Sequence, residues 1–165
     1  MSGGAVMLAE PWRQAAIPLS AATSEQVRKS RCLSPEGERG VRFAGYAAIF
    51  DRVDRGGDVV RRGAFASSLA QGHSVPLLWQ HDPGRVIGAV ETLAEDARGL
   101  RVVARVHPRV GALVAAGRLR GLSFGYRVKR AAGVGPRVLH EVELIEVSLV
   151  KQPMQPLARV IAVEV

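Results

Sequence analysis

The feature that most constrains this chain is a set of valine-rich runs in which apolar and polar residues alternate. VRFAGYAAIF at 41–50, LSFGYRVKRA at 122–131 and RVLHEVELIEVSLV at 137–150 have this pattern, which is typical of half-buried β-strands. Aromatic residues make up only 5% of the chain, so the core must come from Val, Leu, Ile and Ala, and the β-branched members of this set favour strands. The sequence therefore predicts a mainly β protein.

Shorter segments complete the predicted order of elements. VPLLWQH and ARVIAVEV are typical of strands, residues 58–60 predict a brief pairing, and the runs on either side of residues 95–99 predict a hairpin. Short helices are predicted at residues 63–72 and between Pro108 and Gly117. About seven strands and two short helices predict one barrel or sandwich with helices packed outside.

Residues 1–40 differ from the rest, because they mix small, polar and charged residues without a sustained period. We therefore expect a flexible N-terminal tail at 1–40 and one folded domain at 41–165. The single cysteine, Cys32, excludes an internal disulfide, and no run is long and apolar enough to span a bilayer. These features are typical of a protein from a reducing, cytosolic compartment.

The net charge of +8 raises the question of nucleic-acid binding. The basic residues are scattered along alternating strands, however, and aromatic residues that could stack on bases are scarce. The four histidines also lack the three- or four-residue spacing of a helical metal site; they are His73, His81, His107 and His140. We therefore expect no metal, no cofactor and no main role in binding nucleic acid.

Ser123 and His81 are the first candidate site residues. In a regular strand, Ser123 and Gly125 share the face opposite Leu122 and Phe124, so Ser123 has open space beside it. A nucleophilic serine needs a general base within about 3 Å, but the sequence around it is not G-x-S-x-G. Ser123 is therefore either a nucleophile or an ordinary polar residue. His81 is either the polar end of a strand or an imidazole held by that strand.

Glu146 is the third candidate. In a regular strand, residues 140, 142, 144, 146 and 148 share one face, and Glu146 lies between the apolar residues Ile145 and Val147. A buried carboxylate is costly unless a positive or hydrogen-bonding group contacts it, and an imidazolium is such a group. The alternative is a glutamate on an exposed edge strand.

Several motifs in series resemble those of the prohead proteases of tailed phages, the serine proteases of capsid maturation. They are GYAAIFDRVDRGGDVVRRGAF, VPLLWQHD, IGAVETLAED, GLSFGY and ELIEVSLVKQPMQPLA, within residues 41–158. The resemblance implies a seven-stranded, mostly antiparallel barrel ringed by helices, similar to the herpesvirus assemblins. Met154 and Gln155 depart from the small residue and Asn that the family often has between its last two prolines.

The resemblance also implies roles for site residues. Ser123, in GLSFGY, matches the nucleophile, and His81, in WQHD, matches the base. The EVSLV-type motif indicates Glu146 as the third member, whereas the herpesvirus enzymes use a second histidine, which makes His140 the alternative. Asp82 follows His81 directly and would point to the opposite face of a strand, so we expect it to form a turn instead.

The implied function is a serine endopeptidase without metal or cofactor. Its expected substrates are the N-terminal scaffold segment of the major capsid protein, scaffold proteins and the protease itself, with self-cleavage at residues 21–40 and self-association. The expected location is the immature procapsid in the cytoplasm of a bacterial host. Two alternatives are a catalytically silent capsid-assembly factor, which would not need Ser, His and an acid together, and a basic nucleic-acid-binding barrel, which would need basic and aromatic residues on one face.

Overall fold

The computed structural model describes the backbone of Met7–Leu8 and residues 40–164. The described elements are β1 (Met7–Leu8), β2 (Val41–Ile49), β3 (Asp58–Val60), α1 (Ala66–Ala70), β4 (Pro76–Trp79), β5 (Asp82–Glu95), β6 (Gly99–Val106), α2 (Pro108–Ala115), β7 (Gly121–Ala132), β8 (Arg137–Val150) and β9 (Val160–Glu164). They confirm the predicted mainly β class, the hairpin and both short helices. Apart from β1 and Gly40, the predicted tail lies outside the described residues, so the division into tail and domain stays a prediction.

The described strands form one sheet. Eight of them follow the path β1-β7-β8-β4-β5-β6-β2-β9, and β3 pairs with β8 off this path. Strand β8 is the centre of the arrangement: it pairs antiparallel with β7 and parallel with both β3 and β4. Residues on β4, β7 and β8 are therefore brought side by side although they are distant in sequence.

The prediction of a closed, seven-stranded barrel is wrong in strand number and in closure. The additional described strands are β3, which was predicted only as a brief pairing, and β1. Arg159, the residue before β9, meets Gly121 of β7 at an isolated bridge rather than through a ladder, so the sheet stays open. The segment before β9 contains Pro153 and Pro156, which have no N–H to donate to a ladder, and this segment therefore does not continue the sheet.

Apolar side chains on one face of β7 enter the core. Phe65, which precedes α1, packs edge-on against Phe124 of β7, with ring centroids 5.1 Å apart, and Tyr126 lies 5.0 Å from Phe124 by the same measure. Burying each phenylalanine contributes about 1.5–3 kcal/mol. Because Phe124 and Tyr126 belong to the core, Ser123 and Gly125 face the other side of β7.

A partly buried ion pair ties β3, β7 and β8 together. Arg137 donates through Nε to Asp58 Oδ1 at 2.8 Å and through Nη2 to Asp58 Oδ2 at 2.7 Å. Tyr126 Oη donates to the same Oδ2 at 2.7 Å. Desolvation, and then the hydrogen bond to Asp58, raise the pKa of Tyr126 far above its ordinary value, so this hydroxyl remains a donor.

Candidate active site

The turn between β4 and β5 carries His81. Trp79 pairs with Asp82, so Gln80 and His81 form a two-residue hairpin loop, and their φ angles are +51° and +62°. Positive φ at both central residues is the arrangement of a type I′ turn, which normally favours Asn and Gly. A non-glycine residue in this region costs about 1–3 kcal/mol and persists only where its surroundings hold it. His81 therefore lies in a strained turn and not, as predicted, at the end of the strand.

Hydrogen bonds to the end of β8 hold this turn in place. The Gln80 N–H donates to the Leu149 carbonyl at 3.0 Å, and the His81 N–H donates to Ser148 Oγ at 3.1 Å. The Lys151 N–H in turn donates to the Gln80 side-chain oxygen at 3.3 Å. These contacts offset the conformational cost of the turn and set the direction of the His81 side chain.

The His81 imidazole contacts Glu146. His81 Nδ1 lies 2.6 Å from Glu146 Oε1, and only 8% and 5% of the two side chains are exposed. A carboxylate only accepts hydrogen bonds, so Nδ1 carries a proton, and in the neutral imidazole Nε2 then presents a lone pair. Ser148 Oγ donates to the other oxygen, Glu146 Oε2, at 2.6 Å. The arrangement is that of a general base oriented by a carboxylate.

A β-bulge in β8 directs Glu146 to this side of the sheet. Glu146 pairs with Gly125, but the next pair is Leu144 with Tyr126, so Ile145 is the extra residue. Because consecutive residues of β7 face opposite sides, Leu144 joins Tyr126 in the core while Glu146 faces away from it. The expectation that Leu144 and Glu146 share a face is therefore wrong.

Gly125 accommodates the carboxylate rather than leaving open space. A Cβ at this position would lie 2.6 Å from Glu146 Oε1 and 2.9 Å from Glu146 Cγ, closer than such atoms approach in folded proteins. The Glu146 side chain therefore fills the space that the sequence suggested for substrate. The second glycine of GLSFGY, Gly125, is therefore required for a steric reason, which becomes evident only from the pairing of β7 with β8.

Ser123 lies on the same side of the sheet as Glu146. It is 3% exposed and pairs directly with Ser148 across the β7–β8 ladder. Directly opposed residues have Cβ atoms about 5 Å apart, so Ser123 is next to the serine that contacts both Glu146 and the His81 turn. Ser148 itself is fully buried, and its hydroxyl is engaged by Glu146 and His81, which leaves Ser123 as the candidate nucleophile.

The other predicted candidates lie elsewhere. His140 is six residues before Glu146 on β8, about 20 Å away at 3.3 Å per residue, so it does not contact the His81 ring. Asp82 is the first residue of β5 and flanks the turn rather than forming it, and its Oδ1 accepts a hydrogen bond from the Gly84 N–H at 2.9 Å. His107 caps the start of α2 by accepting from the Arg109 N–H.

Ser148 is the residue of this site that sequence analysis missed. It was placed on the face of Glu146 but was given no role. The sequence did contain a signal: Ser148 is a polar residue two positions after Glu146, in a strand end that is otherwise apolar. Its importance depends on its contact with the turn between β4 and β5, which the local pattern does not contain.

Among residues 40–164, no group of three or more His, Cys, Asp or Glu side chains is arranged to hold a metal ion. Neither of the two described helices is long and apolar enough to cross a membrane.

Comparisons with known proteins identify the family and the fold of this chain. The family model of the caudovirus prohead serine proteases matches residues 27–165. The prohead protease of Enterobacteria phage HK97 is 32% identical over 103 residues, which cover 58% of this chain and 45% of that protein. This chain thus spans less than half the length of that relative.

Solved structures of viral proteases are also similar. The bacteriophage T4 capsid assembly protease has a TM-score of 0.59 at 16% identity, covering 70% of this chain and 85% of that one, so the two share a fold. The varicella-zoster virus protease has a TM-score of 0.49 at 18% identity, covering 73% and 63%. The predicted family is confirmed by the model that matches most of the sequence: the chain belongs to the caudovirus prohead serine protease family.

Proposed function

We propose that this protein is a serine endopeptidase in which Ser123 is the nucleophile, His81 the general base and Glu146 the group that orients the base. One observation carries the proposal. The hydrogen bond of 2.6 Å between His81 Nδ1 and Glu146 Oε1 leaves Nε2 of the neutral imidazole available to accept a proton, and the Glu146 side chain that holds this ring lies on the same side of the sheet as Ser123. Membership of the serine protease family supports the same assignment.

The proposed reaction follows from these positions. His81 Nε2 takes the proton of the Ser123 hydroxyl while the Ser123 oxygen attacks the scissile carbonyl carbon. When the resulting tetrahedral intermediate collapses, the C–N bond breaks and His81 gives its proton to the leaving amine. Water then attacks the acyl-enzyme ester, with His81 accepting its proton and returning one to Ser123. Glu146 stabilises the imidazolium in both halves of the reaction, and the scheme needs no metal or cofactor.

The substrate site would include the segment that follows β8. A narrow cleft beside Ser123 is lined by Met154, Gln155 and Asp54, among others. Met154 and Gln155 are themselves buried, and Gln155 Oε1 accepts a hydrogen bond from the Leu157 N–H. These two residues depart from the family pattern, so we propose that the segment that carries them contributes to substrate contact.

The proposed substrates are the N-terminal scaffold segment of the major capsid protein, scaffold proteins and the protease itself, cut inside the procapsid in a bacterial host. The names of the relatives support this class of substrate: one is a prohead protease and another a capsid assembly protease. Scaffold segments suit such a site because a protease acts on extended backbone.

Co-expression with the partner capsid protein, followed by intact mass spectrometry, tests the function. We expect wild-type protein to shorten the capsid protein, and Ser123→Ala to leave it intact, because the nucleophilic oxygen is gone. Ser67→Ala is the matched control, since Ser67 is exposed and lies on α1, and it should cleave like wild type. An intact capsid protein in all three samples, with no labelling of Ser123 by a fluorophosphonate, would instead favour the silent assembly factor.

A further inference from the structure

Ser148 has a hydroxyl that contacts two parts of the candidate site at once. It is fully buried, accepts a hydrogen bond from the His81 N–H at 3.1 Å and donates one to Glu146 Oε2 at 2.6 Å. We propose that Ser148 is a positioning residue that holds the His81 turn and the Glu146 carboxylate in one fixed relation. This inference rests on the proposed function.

The hydrogen-bond capacity of the hydroxyl determines the direction of each bond. A serine hydroxyl has one donor hydrogen and two acceptor lone pairs. Because the backbone N–H of His81 can only donate, Ser148 Oγ accepts there and its own hydrogen is available for Glu146 Oε2. The second oxygen, Oε1, then receives the proton of His81 Nδ1, which lies 2.6 Å away. The carboxylate is thus held at both oxygens. Because Oε1 accepts the proton of Nδ1, the neutral imidazole is held in the tautomer whose Nε2 carries no proton.

The same hydroxyl stabilises a backbone conformation that the sequence does not favour. In a two-residue hairpin loop, the ladder bonds connect the flanking residues, here Trp79 and Asp82, and the second loop residue has no ladder partner. Ser148 supplies a partner for the His81 N–H, and His81 has a φ of +62°. Without that partner, a buried donor is left unpaired and the turn is free to relax towards other geometries. The imidazole would then move relative to Ser123.

A purely structural role for Ser148 makes a different prediction, and Ser68 provides the comparison. Ser68 Oγ accepts a hydrogen bond from the Leu144 N–H at 3.0 Å, so it also ties a side chain to β8, but it lies in α1 away from His81. Ser148→Ala and Ser68→Ala each delete one oxygen. If Ser148 only stabilises the fold, both variants should lower the melting temperature and leave turnover unchanged.

The experiment measures kcat, KM and melting temperature for wild type, Ser148→Ala, Ser148→Thr and Ser68→Ala. We expect Ser148→Ala to lower kcat about 10- to 100-fold, the usual effect of removing a partner that orients a functional side chain, with KM nearly unchanged. Ser68→Ala should keep wild-type kcat. Ser148→Thr retains the hydroxyl and should recover most of the lost kcat. Wild-type kcat in Ser148→Ala would overturn the inference, as would equal losses in Ser148→Ala and Ser68→Ala.

A spectroscopic readout separates this inference from the proposed function. The proton shared between His81 Nδ1 and Glu146 should give a low-field proton NMR resonance, because short hydrogen bonds deshield the proton, and its observation needs no substrate. We expect Ser148→Ala to shift or broaden this resonance and Ser68→Ala to leave it unchanged. If the protein proves to be no peptidase, a shifted resonance still supports positioning by Ser148, and an unchanged one refutes it.

Discussion

Replacing Glu146 with Gln should slow the reaction strongly while leaving the fold intact. In the transition state His81 becomes a cation, and the carboxylate lies 2.6 Å from its Nδ1 with both side chains almost fully buried. At that separation and an effective dielectric constant of about 20, the attraction is roughly 6 kcal/mol. Loss of this attraction corresponds to a decrease in kcat of about 10,000-fold or more, similar to the loss of about 10,000-fold when the acid of a Ser-His-Asp triad becomes an amide.

The hydrogen-bond inventory gives a second reason for this loss. A carboxylate accepts from His81 Nδ1 and from Ser148 Oγ at the same time, whereas an amide has one accepting oxygen and one donating nitrogen. If the amide nitrogen faces His81, the imidazole must adopt the other tautomer and Nε2 no longer accepts a proton. If it faces Ser148, the serine hydrogen loses its partner. Either arrangement weakens the site.

The assay is the rate of fluorophosphonate labelling of Ser123, together with kcat on a capsid-derived peptide and circular dichroism for the fold. Glu143→Gln is the matched control on the same strand, because Glu143 forms a partly exposed ion pair with Lys129 at 2.9 Å and has no contact with His81. It should react like wild type. Near wild-type rates for Glu146→Gln would refute the proposal that Glu146 orients His81. If only His140→Ala lost activity, that role would belong to His140 instead.

Gly125→Ala should lower the rate of fluorophosphonate labelling roughly 100-fold, because the added Cβ would lie 2.6 Å from Glu146 Oε1 and displace the carboxylate. A loss of this size is expected when a functional group is misplaced by about 1 Å. A labelling rate equal to that of wild type would contradict the close contact. Burial raises the pKa of Asp54 above its ordinary 3.8, so its ionisation destabilises the folded state as pH rises through that range. In urea unfolding, the stability of Asp54→Asn relative to wild type should therefore increase as pH rises above 3.8, and a relative stability that decreases over this rise would show the wrong sign. Self-cleavage at residues 21–40, of which all but Gly40 lie outside the described residues, should appear by intact mass in concentrated wild-type protein and be absent from Ser123→Ala. The same fragments in both proteins would indicate a contaminating protease.

The sequence by itself determined most of the elements of this protein, because the signals for strands and short helices are local. Alternation along RVLHEVELIEVSLV produces a strand wherever one face can be buried, and β8 covers that run, Arg137–Val150. The resemblance of several motifs in series led to Ser123, His81 and Glu146 before any contact was known, since a short motif keeps its residue types even where its geometry is irregular.

The closure of the sheet and the residue that contacts the His81 ring were decided only by the tertiary structure. Closure depends on whether β9 forms a ladder with β7. The prolines in the segment between β8 and β9 have no N–H to donate to such a ladder. His140 and Glu146 are equivalent in a pattern of period two, but about 20 Å of strand separates them. Only the hydrogen bond between Glu146 and His81 distinguishes the two.

The site geometry depends on register, which no single strand encodes. Ile145 becomes a bulge because Leu144 pairs with Tyr126 while Glu146 pairs with Gly125, so the face of Glu146 is set by the partner strand. The positive φ of His81 runs against local preference and is held by hydrogen bonds to β8. Local periodicity therefore determined which segments are strands, whereas the side to which the functional groups point was decided by long-range pairing, because a one-residue irregularity reverses every later side chain.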